Sequence, residues 1–139
     1  MTFPYVTALT AGVLLILQMA LAFTVSGARG QRDTWVGDGG QEALLRAMRR
    51  HGNLAENAGI FVAGFLLLEL SKFSPALLIG LCAAFVLARV SHAVGLSRPN
   101  TNNAFRLIGG VGTYVAGFVL GGVLVWIGAD AAFAARAAG

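Results

Sequence analysis

The segment RAMRRHGNLAEN, residues 46–57, sets Arg46, Arg49, Arg50, Asn53, Glu56 and Asn57 three or four residues apart. On a helix that spacing makes one continuous polar stripe. It runs directly into AGIFVAGFLLLEL, residues 58–70, which is apolar enough to lie in a bilayer. Arg46 and Arg50 fall where anchoring in the headgroup zone accounts for them. Glu56 and Asn57 lie deeper. A charged side chain near the centre of a span costs about 2.5 to 3.5 kcal/mol on insertion scales, so Glu56 is expected to face the bundle interior.

A partner for Glu56 comes from the next apolar run. Arg89 follows Pro75 by fourteen residues, about 21 Å along a helix, still within a hydrocarbon layer of about 30 Å. His92 follows one turn later on the same face, and Arg106 opens the last apolar run at the same level. Two readings of this convergence stay open. In the first, Glu56 and Arg89 form a buried pair that fixes helix register, and Asn53 and Asn57 hydrogen-bond between helices. In the second, the arginines Arg49, Arg50, Arg89 and Arg106 outnumber Glu56, and excess buried guanidinium is costly unless an anion completes the site. Planar guanidinium groups bind carboxylates through two parallel hydrogen bonds, so the surplus favours a ligand carrying carboxylates.

The elements that must position these residues follow from composition. Of 139 residues 57% are hydrophobic and 12% charged, too little polar surface for a soluble globule. Residues 6–25, 54–70, 75–95 and 107–129 can each cross a bilayer; with their polar lead-ins the spans cover about 4–25, 44–70, 75–95 and 104–129. The expected fold is all-α, an integral membrane antiparallel four-helix bundle, with residues 1–139 as a single four-span domain. No Lys or Arg precedes Arg29 and no cleavage site stands out, so the first run is kept as a helix. The single cysteine, Cys82, excludes an internal disulfide and reads as a small buried hydrophobe.

Four spans put two of the loops on one side. Arg29, Arg32, Arg46, Arg49, Arg50, Arg89, Arg98 and Arg106 belong to that side, against Lys72 and Arg136 on the other. The asymmetry makes the arginine-rich side cytoplasmic, with both termini on the non-cytoplasmic side and the polar site facing the cytoplasm. Phe3, Tyr5 and Trp126 then fall near the outer interface. Residues 71–74 and 97–103 suit short turns. Residues 26–41 read as a long Gly-rich loop, functional or mobile, or else a solvated linker with Asp38 or Gly39 near the next N-cap. Their GDGG lacks the strand and lysine of a phosphate-binding loop. In GGVGTYVAGFVLGG, residues 109–122, Gly112 with Ala116 and Gly117 with Gly121 predict close helix packing. Neither a metal nor a nucleic acid is expected as a partner.

The arrangement Arg49-x-x-x-Asn53-x-x-Glu56, with Arg89-x-x-His92-x-x-Gly95 ending the third span and Arg106 opening the fourth, resembles the MAPEG family, the membrane-associated proteins of eicosanoid and glutathione metabolism. The likeness covers nearly the whole chain and suggests a bacterial-type member similar to the microsomal glutathione transferases. It implies a homotrimer among membrane lipids, binding glutathione between subunits toward the cytoplasm. Carried over, Arg49, Asn53 and Glu56 hold glutathione's charged ends, with Asn57, Arg89 and His92 beside them, while Arg106 stabilises the thiolate as the catalytic residue. The chain departs from the family's usual tyrosine after the glutamate at Asn57, from a proline at Gly59, and from tyrosines ending the third span at His92 and Leu96. The implied function is conjugation or reduction of lipophilic electrophiles with glutathione or a related anionic thiol. The alternative is a member that kept the fold and lost the chemistry, serving as a lipid-binding or scaffold protein. A small multidrug-type transporter ranks last, because the first span carries no charge and Glu56 stands among arginines.

Overall fold

The computed structural model describes residues 3–100 and 102–138. Its elements are α1 (Tyr5–Gly30), α2 (Glu42–Ser71), α3 (Pro75–Ser97) and α4 (Ala104–Ala137). All four are long and apolar enough to cross a membrane, and together they form an all-α bundle of a multi-pass integral membrane protein. Residue 101 of the expected turn at 97–103 lies outside the described residues.

Helix ends follow local chemistry. Lys72 closes α2 in a left-handed conformation (φ 56°), and Ser74 then caps α3, its hydroxyl accepting from the Leu77 amide at 3.3 Å ahead of Pro75 in the first turn. Asn103 serves two helices: its Oδ1 accepts from the Arg106 amide at 3.1 Å, and its Nδ2 donates to the Gly95 carbonyl at 2.9 Å. That joins the end of α3 to the start of α4. The first turn of α1 has no cap of its own, so Glu69 of α2 supplies one by accepting from the amides of Val6 (3.0 Å) and Thr7 (2.8 Å).

Two boundaries differ from the sequence reading. The helix α1 continues through Gly30 and α4 through Ala137, because small and polar residues without proline keep their backbone bonded along the helix. The loop shrinks to residues 31–41, and Arg29 pins it by donating to the carbonyls of Thr34 (3.3 Å) and Trp35 (2.8 Å). Gln41, rather than Asp38 or Gly39, occupies the N-cap of α2. Asp38 instead turns the loop, accepting from the Gly40 amide at 3.0 Å.

At the centre, Phe85 of α3 stacks on Phe61 of α2 (centroids 3.8 Å, planes 14° apart) and meets Phe65 edge-on at 6.0 Å. Helices α1 and α4 flank this α2–α3 core and, among the described residues, do not pack on each other. Between bilayer helices the cohesion comes from dispersion and close approach rather than from expelled water. Close approach is most severe between α3 and α4. A Cβ on Gly95 would lie 2.5 Å from the Arg106 amide nitrogen, and one on Gly109 would lie 2.5 Å from the His92 nitrogen. Of the expected small-residue pairs, Ala116 is buried and Gly112 faces Ala88, and Gly117 faces Phe61, but Gly121 meets nothing within 4 Å.

Candidate functional site

An open cleft of about 1010 Å³ lies along one flank of the bundle, walled by the first four turns of α2, the end of α3 and the start of α4. Arg46, Arg49, Asn53 and Glu56 enter from α2, His92 and Leu96 from α3, and Arg106 and Tyr114 from α4, with Asn102 and Asn103 at one end. Of the expected site residues, the structure therefore brings Arg49, Asn53, Glu56, His92 and Arg106 together. The backbone contacts at Gly95 and Gly109 explain why His92 and Arg106 share a wall, since nothing bulkier than glycine lets α4 lie so close to α3.

Arg89 and Asn57 stand elsewhere. The expected ion pair between Arg89 and Glu56 is not formed. Arg89 is buried, with 4% of its surface exposed, and its guanidinium is held by neutral acceptors. It donates to Asn53 Oδ1 at 2.5 Å, to the Gly109 carbonyl at 2.9 Å and to the Thr113 hydroxyl, and it lies 5.7 Å from the Phe85 ring. Glu56 is exposed on the outer side of the bundle rather than turned inward. The reason is angular: Glu56 follows the buried Leu54 by two residues, about 200° around the helix at 100° per residue. One of them faces the core and the other faces the cleft. Asn57 turns back on its own helix, donating to the Asn53 carbonyl at 2.8 Å. Arg50 donates to the Ser97 hydroxyl at 2.8 Å and ties α2 to the end of α3.

Inside the cleft the charges are unevenly satisfied. Arg46 pairs with Glu42 at 2.5 Å, one turn apart on α2 at the exposed mouth, where such a pair contributes little. Neither Arg49 nor Glu56 forms a hydrogen bond or an ion pair with any described residue. They stand seven residues apart on α2, about 10 Å along its axis, with Asn53 between them. The arrangement thus offers a guanidinium, an amide and a carboxylate in line, with Arg106 and His92 on the facing wall. Among the described residues, no group of three His, Cys, Asp or Glu side chains comes together to hold a metal ion.

Tyr114 was not foreseen. It stands eight residues beyond Arg106, a little over two turns on and about 80° further around the helix. The same three-and-four spacing that exposed the α2 stripe links Arg106, Gly110 and Tyr114 and marks it. Asn103 was legible only as a turn residue, although an asparagine before an apolar run is also a capping signal.

Comparison with known proteins gives two results. The model of the MAPEG family matches residues 7–126, from α1 through most of α4. No curated protein matches the chain.

Proposed function

Because the chain belongs to the MAPEG family, we propose that its cleft binds glutathione, or a related anionic thiol, and that the bound thiol adds to or reduces lipophilic electrophiles that enter from the bilayer. The observation that carries this reading is the pair of unpartnered opposite charges, Arg49 and Glu56, on one wall of the cleft with Asn53 between them. A simple anion would satisfy the arginine and repel the glutamate. A ligand with carboxylates and an ammonium satisfies both, and an extended tripeptide of about 10 Å has the required reach. Guanidinium and amide donors suit its carboxylates, and Glu56 suits its ammonium.

Arg106 on the opposite wall is assigned to the sulfur. A cation beside a thiol favours the thiolate, the reactive form. The apolar part of the cleft, Leu45, Leu107 and Val111, would receive a co-substrate arriving from lipid. The remaining flank is open, with Glu56 exposed and Tyr114 69% exposed, and a charged group on lipid is expensive. Further copies, as a homotrimer, would cover it. The eight-to-two distribution of basic residues supports a cytoplasmic mouth.

Calorimetric titration of glutathione into the detergent-solubilised protein tests this reading, with Arg49→Ala as control. Binding by the wild type that is weakened by about 10-fold or more in the folded variant is the expected result. A well-folded oligomer that takes up no glutathione would overturn it and turn the search to lipids and protein partners.

A further inference from the structure

Polarity changes along the α4 wall of the cleft. Arg106 stands at one end, Leu107 and Val111 present hydrocarbon, and Tyr114 follows about 12 Å further along the axis. At 100° per residue Arg106 and Tyr114 differ by only about 80° around the helix, so they share a face. Tyr114 carries the one hydroxyl among the described residues that line the cleft, and it forms no hydrogen bond with another described residue. Its neighbour Thr113 points the other way, into the buried cluster around Arg89. Side chains in a helix lean toward the N-terminus, so the phenol leans back toward the level of Arg106. Tyr114 is 69% exposed at the open side of the cleft, and a hydroxyl that meets lipid there costs free energy that an acceptor recovers.

Resting on the glutathione reading above, we propose that the Tyr114 hydroxyl receives the polar head of the lipophilic co-substrate and selects electrophiles whose oxygen is conjugated to the reacting carbon, that is, α,β-unsaturated carbonyl compounds with apolar tails. The thiolate sulfur bonds to the β-carbon, and the π pair of the C=C bond moves through the carbonyl group to its oxygen. Tyr114 donates a hydrogen bond to that oxygen as its negative charge develops. Water then protonates the α-carbon, the carbonyl re-forms, and the hydroxide left behind takes the proton the thiol released on ionising. The net change is addition of S–H across the double bond. A donor aimed at an oxygen that gains charge in the transition state acts on the rate rather than on thiol binding.

The test compares Tyr114→Phe with the wild type using glutathione and two electrophiles, nonenal and chlorodinitrobenzene, the latter having no carbonyl group. The expected result is a loss of about 100-fold in kcat/KM for nonenal, a change within about threefold for chlorodinitrobenzene, and unchanged glutathione affinity. Equal losses with both electrophiles, or no loss with nonenal, would overturn the role of Tyr114. Wild-type protein that binds glutathione but adds it to no nonenal overturns this inference alone. Wild-type protein that binds no glutathione overturns the reading beneath it as well.

Discussion

Arg89 donates through Nη1 to Oδ1 of Asn53 at 2.5 Å, and because a guanidinium has no acceptor, only the amide oxygen can meet it. The orientation of the Asn53 amide is therefore fixed, with its N–H donors left for the cleft that Asn53 lines. Arg89 acts through Asn53 without reaching the cleft itself. Asn53→Asp separates the two roles. Its carboxylate still accepts from Arg89, so thermal unfolding should occur at an equal or higher temperature, but the donors facing a ligand carboxylate are gone. Glutathione affinity should fall by about 10- to 100-fold, the range of a charge-assisted hydrogen bond. Asn53→Leu should fail on both counts, leaving Arg89 short of an acceptor at a cost of about 2 kcal/mol. Calorimetry and unfolding on the same preparations distinguish the cases.

Arg49 is exposed and bonds to no described residue, so the fold loses nothing when it is removed. Arg49→Ala should lower glutathione affinity by about 10-fold or more while the unfolding temperature stays within error. Parallel loss of stability and binding would instead make it part of the scaffold.

The approach of α4 to α3 depends on glycine at two positions. A methyl group on Gly109 meets the backbone of His92 and Ala88 at 2.5 and 2.6 Å, and backbone cannot rotate aside. Gly109→Ala should destabilise the protein by about 1 to 3 kcal/mol and move His92 away from Arg106, lowering activity further than stability. Gly121→Ala is the matched control. Its added methyl has open space and gains helix propensity, so its unfolding temperature should not fall.

Much of this was legible in the sequence. Four apolar runs separated by turn residues give the bundle, and Arg49, Asn53, Glu56, His92 and Arg106 were expected near one another because they gather at the same end of it. The partner of Arg89 was not legible from depth alone. Depth says which groups are level, but the face of each helix decides which ones meet, and Leu54, Phe61, Phe65 and Leu68 already marked the buried face of α2. Reading that face would have turned Glu56 outward. The tightest contacts, at Gly95 and Gly109, escaped the small-residue pattern because that pattern pairs residues within one helix. These two glycines oppose backbone of the neighbouring helix, which only the packing reveals.

Arg106 lines the wall opposite Arg49. If it stands beside the bound sulfur, Arg106→Ala should leave glutathione affinity largely intact and raise the bound thiol's pKa, which the ultraviolet absorbance of the thiolate reads directly across a pH series. Turnover near neutral pH should fall with the thiolate fraction and recover at higher pH. An unchanged thiolate signal removes Arg106 from the chemistry.

Glu56 gives the sharpest test of ligand identity, because its charge is wrong for an anion. It is exposed in the cleft, seven residues from Arg49, and pairs with nothing described. If it holds the ammonium of glutathione, Glu56→Gln should weaken glutathione by about 10-fold yet leave the des-amino analogue, which keeps both carboxylates, bound as in the wild type. If Glu56 only repels anions, the same change should tighten both ligands. If it contributes to neither, both affinities stay fixed. The sign of the change for glutathione, compared with the analogue, shows whether the cleft recognises a zwitterion or only negative charge.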